Sequence, residues 1–191
     1  MLLYVKTSFC MRKNKCKQTG FTLIELLIVI AIMGILAVAG IAAYRSSLAK
    51  SRDSKRKSDL RQISLALEAY FNDHNEYPQG NSDGEIMGCG ARDSKSACTW
   101  GGTFQETNGA LYMTQLPTDL RGGQRYFYAD DPGVPGSPNG YYLYARLEDI
   151  KDTSQGVNQG GYPTVCVPAA SGVDSYCTYG ISSSNRSLEV P

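Results

Sequence analysis

From Phe21 to Tyr44 the chain reads FTLIELLIVIAIMGILAVAGIAAY, almost wholly apolar yet carrying one carboxylate, Glu25, near its start. No other feature constrains the fold as tightly. A helix of ~20 apolar residues rising ~1.5 Å each spans the ~30 Å core of a bilayer, and this run is long enough to do so. A charged side chain at the centre of such a span costs roughly 2.5–3.5 kcal/mol, so Glu25 is read as functional.

The flanks orient the run. Ahead of it lie Lys6, Arg12, Lys13, Lys15 and Lys17 with no acid, although the 191-residue chain has a net charge of only +1. The remainder is therefore mildly acidic, which argues against a generic nucleic-acid binder. The basic leader belongs on the cytoplasmic side and the bulk of the chain outside. An ordinary secretory signal has an apolar stretch of about 7–15 residues followed by a small-residue cleavage site. Here the order is basic leader, Gly20, apolar run, so a cut after Gly20 leaves the apolar helix on the mature chain. Met11 would begin a compact basic leader by itself, MRKNKCKQTG, so the start is expected at Met1 or at Met11.

Gly20-Phe21-Thr22-Leu23-Ile24-Glu25-Leu26-Leu27 resembles the prepilin processing motif of type IV pilins and type II secretion pseudopilins. The resemblance is close over residues 17–44, fair to about Pro78 and thin beyond. It implies a membrane aspartyl peptidase that cuts after Gly20 and N-methylates Phe21, and retention of Glu25 for filament assembly. The implied partners are other pilin-like subunits, the prepilin peptidase, an inner-membrane assembly platform and, before assembly, membrane lipid; DNA is not expected. The implied location is a single pass in the inner membrane with the head outside the cytoplasm, then an extracytoplasmic filament. In a bundle of such helices, the Phe21 ammonium of one subunit needs a carboxylate. A pair ~4 Å apart gains ~4 kcal/mol at an effective dielectric of 20, and Glu25 of a neighbour can supply it. Gly34, Ala37, Ala39, Gly40, Ala42 and Ala43 allow close helix approach.

No breaker interrupts the chain from Phe21 to about Phe71, which predicts one helix of about 50 residues. Leu60, Ile63, Leu67, Tyr70 and Phe71 form a stripe at three- and four-residue steps that would pack on a sheet. Asp53 and Lys57 read as an exposed i,i+4 pair. Lys50, Arg52, Lys55, Arg56, Lys57 and Arg61 read as a solvated collar meeting lipid headgroups or acidic neighbours. Asn72-Asp73-His74-Asn75 and then Tyr77-Pro78 end the helix.

The expected class is thus α+β and pilin-like: one long N-terminal α-helix, its first half transmembrane, packed on a small antiparallel β-sheet head. The expected segments are a leader (1–20), a membrane or filament-core helix (21–46), its amphipathic continuation (47–75) and a globular head (76–191). Residues 79–110 read as a clipped loop carrying Trp100, and 111–117 as a helical turn. Strands are expected at 124–129, 141–147, 163–167 and 176–182. The head's tyrosines read as half-buried sheet residues, with a binding face as the alternative.

Six cysteines divide between leader and head. Cys10 and Cys16 read as incidental. Cys89, Cys98, Cys166 and Cys177 read as two disulfides of an exported domain. Three pairings are open, of which the local loops Cys89–Cys98 and Cys166–Cys177 are the simplest. The spacings lack the C-x2–4-C knuckle of a zinc site. Leu116–Asp119 and Asp130-Asp131 are similar to the calcium-holding loops of the major pseudopilin but lack their fuller pattern, so the expectation is no cofactor, with calcium as the alternative. No nucleophile elbow, phosphate loop or zinc-protease motif occurs, and His74 reads as a surface or capping residue. The chain therefore reads as a non-enzymatic structural subunit of a type IV pilus or type II secretion pseudopilus, the head's disulfide loops leaning toward a pilus. A minor tip subunit whose head binds a surface or DNA is the rival, and an uncut single-pass receptor the third reading.

Overall fold

The computed structural model describes residues 21–91, 94–107, 109–131, 139–149, 151–167, 175–184 and 188, without the side chains of 39, 42, 43, 94 and 95. Gly20, Cys10, Cys16, Met11 and most of the turn at 132–138 lie outside the described residues, as do the side chains of Ala39, Ala42 and Ala43. The chain divides into two compact units, the first ending at Ala43 and the second beginning at Tyr44.

Helix α1 covers Leu23–His74. In the first unit its large apolar side chains have no cover: Leu23 is 88% exposed and Val38 72%. Among the described residues no helix is long and apolar enough to cross a membrane. This differs from the expected membrane-spanning half.

In the second unit α1 supplies one wall of the core. Leu60, Ile63, Ala66, Leu67 and Tyr70 are buried, as the three-and-four spacing predicts, and Phe71 packs at the margin. The helix ends at His74, within the segment 72–78 expected to stop it. Asn75 takes the left-handed conformation (φ 57°), and its N–H bonds the Phe71 carbonyl at 2.7 Å. Asparagine tolerates this conformation better than most residues, which suits it to stop a helix. Tyr77 is then buried and its hydroxyl donates to Glu68.

Among its described residues the head contains three small antiparallel sheets where one was expected. β1 (Gln79–Gly80), β2 (Ile86–Ala91) and β3 (Ser94–Cys98) form the first, β4 (Phe104–Gln105) and β5 (Leu111–Met113) the second. The third orders β6 (Phe127–Asp130), β7 (Tyr141–Ala145) and β8 (Tyr179–Ser182), with Tyr128 opposite Leu143 and Leu143 opposite Ile181. Residues 79–110 are therefore a folded subdomain and not a loop. Their glycines hid this, because Gly weakens a strand signal while permitting close approaches. At Gly84 (φ +74°) an added Cβ would lie 2.3 Å from the Phe127 ring. Leu111–Met113 is a strand and not a helical turn, since Met113 pairs with Phe104. The expected strand at 163–167 makes only an isolated bridge, Val165 to Tyr176.

Tyrosine forms much of this core. Tyr126, Tyr128, Tyr141 and Tyr162 are fully buried, and Tyr144 and Tyr179 nearly so. The hydroxyls of the four fully buried ones find partners: Tyr126 donates to Asp59 at 2.8 Å, Tyr128 to the Pro78 carbonyl and Tyr162 to the Gly156 carbonyl, and Tyr141 pairs with Ser64.

Candidate functional site

Two places in the chain carry more polar organisation than packing requires. The first is the start of α1. Thr22 stands just ahead of the helix, and Glu25 is the third residue within it. The Glu25 carboxylate accepts from the Thr22 N–H at 2.9 Å and the Thr22 hydroxyl at 2.7 Å, while the Thr22 Oγ1 lies 3.3 Å from the Glu25 N–H. This is a capping box, in which each side chain satisfies a backbone N–H that the helix leaves unpaired. All of these groups are exposed, as is Phe21 at 85%. Among the described residues the carboxylate has only this local partner, and it is exposed, so it is accessible to a second chain.

The second place lies where α1 meets the head, and it corrects the reading of a solvated collar. Counting back along the buried stripe from Ile63 and Leu60 in steps of three and four reaches Arg56 and Asp53. Both are buried, at 1% and 3% exposure. Arg56 donates to Asp53 at 2.7 Å, to both oxygens of Asp119 at 2.6 and 2.9 Å, to Glu148 at 2.9 Å and to Gln124 at 2.9 Å. Asp53 in turn accepts the backbone N–H groups of Glu148 and Asp149. It does not pair with Lys57, which bonds Asp152 and Ser154 instead. Arg52 grips Glu148 through two bonds at 2.8 and 2.6 Å. Three of the six basic residues thus bind head carboxylates, whereas Lys50, Lys55 and Arg61 remain exposed. The periodic signal was present in the sequence, but a search for apolar residues passes over charged members of a stripe.

These contacts set the ionisation of the latch. Arg52, first, and Arg56 hold the Glu148 carboxyl at about 2 against the opposing effect of burial. Burial alone would push Asp152 up, but Lys57 and Ser154 outweigh it and hold this group at about 2 as well. Burial pulls Arg56 down, and the surrounding carboxylates more than restore it, so it stays charged. A carboxylate whose folded pKa is depressed adds stability above its unfolded value of about 4, and loses it as pH falls toward the folded value. The melting temperature is therefore expected to be flat from pH 7 to 5 and to drop between about pH 4 and 2. Circular dichroism melts of the wild type and of Arg52→Gln check this: the variant should show a shallower acid slope.

The head's cysteines are paired locally, Cys89 with Cys98 and Cys166 with Cys177, at Cα separations of 5.2 and 5.1 Å. Closing loops of this size stabilises a fold by roughly 3 kcal/mol. Replacing Cys89 and Cys98 by serine is expected to cost about that much in urea unfolding. The same change at Cys166 and Cys177 should cost more, because both are fully buried and two hydroxyls would be left in the core.

His74 is more engaged than a surface cap. Its ring stacks on Tyr70 at 4.2 Å, and Nε2 lies 3.0 Å from Glu106 and 3.1 Å from the Tyr112 hydroxyl. Of the residues similar to calcium loops, Asp119 has both oxygens on Arg56. Among the described residues no group of three or more His, Cys, Asp or Glu side chains is placed to hold a metal.

A family model described as the prokaryotic N-terminal methylation motif matches residues 15–41. The chain is 28% identical over 136 residues to the type II secretion system core protein G of Pseudomonas aeruginosa, covering 71% of this chain and 87% of that protein. It is 45% identical over 62 residues to the type IV major fimbrial protein FimA of Dichelobacter nodosus, covering 32% of this chain and 40% of FimA. It is 39% identical over 61 residues to the type IV major pilin protein PilA of Myxococcus xanthus, covering 32% of this chain and 28% of PilA. The matches thus span less than half the length of these two fimbrial relatives, whereas 136 residues exceed the 52 of α1 and must enter the head. No solved structure matches the chain. The chain carries a prepilin-type N-terminal methylation motif, and its relatives are type IV pilins and a type II secretion core protein.

Proposed function

We propose that this chain is a structural, non-enzymatic filament subunit, cut by a prepilin peptidase after Gly20, N-methylated on Phe21 and assembled into a type IV pilus or type II secretion pseudopilus. One observation carries the reading: the methylation motif stands in register with a helix whose first unit is uncovered on all sides. An apolar surface of that extent needs a cover, either lipid or copies of the same helix. The precursor is held by residues 21–46 in the inner membrane with its head outside the cytoplasm, and an assembly platform then moves it into a bundle. The head serves as the outward face of the filament. Its buried tyrosines give little support to a tip subunit that binds surfaces through aromatic side chains.

The test is intact-mass analysis of the chain expressed with and without a prepilin peptidase. With the peptidase, the mass should equal residues 21–191 plus one methyl group, less the hydrogens lost to two disulfides. A chain that keeps residues 1–20 in the presence of the peptidase refutes the reading and leaves the anchored receptor.

A further inference from the structure

Beside the arginine latch lies an open groove of about 530 Å³ between α1 and the segments at 121–124 and 146–148. Arg45, Arg52, Arg121 and Arg146 line it against one carboxylate, Glu148. That carboxylate is already held by Arg52 and Arg56. Arg121 stays 3.8 Å from it, beyond hydrogen-bonding distance, and Arg146 reaches the Tyr176 carbonyl. Among the described residues no carboxylate lies within ion-pair distance of Arg45. The groove therefore carries an excess of positive charge that an anion would relieve.

The chemistry of the lining narrows the anion. Guanidinium forks match phosphate oxygens with paired, charge-assisted hydrogen bonds. Leu48 and Leu147 add apolar surface next to them. Arg45, Leu48 and Arg52 share one face of α1, and Arg45 directly follows the apolar run that ends at Tyr44. A ligand here meets cations and hydrocarbon side by side, at the point in the chain where an anchored precursor leaves the bilayer.

We propose that this groove binds the phosphate of an anionic phospholipid headgroup, with Arg45 and Arg121 as the principal donors. The proposal rests on the membrane-held precursor and deepens it. Lipid held in the groove fixes which turn of α1 sits at the membrane surface, and it must be released when the subunit enters a filament.

Native mass spectrometry of the full chain in detergent micelles, offered equal amounts of phosphatidylglycerol and phosphatidylcholine, tests it. Retained phosphatidylglycerol should exceed phosphatidylcholine by about tenfold, the weight of one charge-assisted contact. Arg45→Gln combined with Arg121→Gln, both at exposed side chains, should bring the two lipids to parity. Equal retention by the wild type, or an unchanged preference in the double variant, overturns the proposal. Displacement of the lipid by an equal concentration of inorganic phosphate also overturns it, because the groove is then a free-anion site. Anchoring is read separately from carbonate-washed membranes, where wild type and variant should both stay in the pellet. A chain that washes off fails the membrane reading whatever the lipid ratio.

Discussion

Replacing Arg56 with methionine is expected to destabilise the head by about 3–5 kcal/mol, the cost of leaving buried charges without their partner. Methionine fills much of the space, so the loss is electrostatic and not a cavity. Asp53 and Asp119 keep backbone N–H donors from Glu148, Asp149 and Arg121, but no cation among the described ion pairs replaces Arg56. A domain of this size is stable by some 5–15 kcal/mol, so the change removes a large share. Urea unfolding of the full chain in detergent, followed by tyrosine near-ultraviolet dichroism, measures it. Arg56→Lys should fall between the two, since an ammonium keeps the charge and loses the fork that serves Asp119 at two points. Arg52→Gln, at a side chain 34% exposed, should cost about 1 kcal/mol or less. If Arg56→Met cost no more than Arg52→Gln, the cluster would behave as an ordinary surface network.

The contrast between these two arginines also shows where the sequence is legible. The helix, its buried stripe and its Asn75 stop were readable because each depends on local chemistry: residue spacing, side-chain volume and the conformations that asparagine tolerates. The cysteine pairing favoured the shortest loops, and those form. What escaped was non-local. Arg56 and Lys57 are neighbours with the same charge, and nothing in their local sequence distinguishes a buried hub from a cation on the rim. Only Asp119 and Glu148, brought from 63 and 92 residues away, distinguish them. The strands of the third sheet fall within the expected segments 124–129, 141–147 and 176–182 apart from Asp130, but the two smaller sheets were missed for the opposite reason. β1, β4 and β5 have two or three residues and present no period to detect, and glycines at 84 and 88 that admit aromatic rings read as turn signals around β2.

Glu25→Ala is expected to leave cleavage after Gly20 intact and to reduce filaments in sheared fractions by at least tenfold, but alanine removes two things together. It deletes the capping box with Thr22, worth about 1 kcal/mol at the helix start, and it deletes the carboxylate available to a neighbour's Phe21 amine. Glu25→Gln separates them. Glutamine at this position still completes a capping box, since its amide oxygen accepts the Thr22 N–H, yet it carries no charge. If charge pairing sets the axial register, glutamine must fail as completely as alanine, although its helix start is intact. The bundle interior strengthens this expectation, because a cationic amine without a counter-charge there carries a desolvation cost of several kcal/mol per subunit. Immunoblots of sheared material, with intact mass on the membrane fraction to verify cleavage, give the answer. Normal filaments from Glu25→Gln would assign the residue to its own helix and remove it from the contact between subunits.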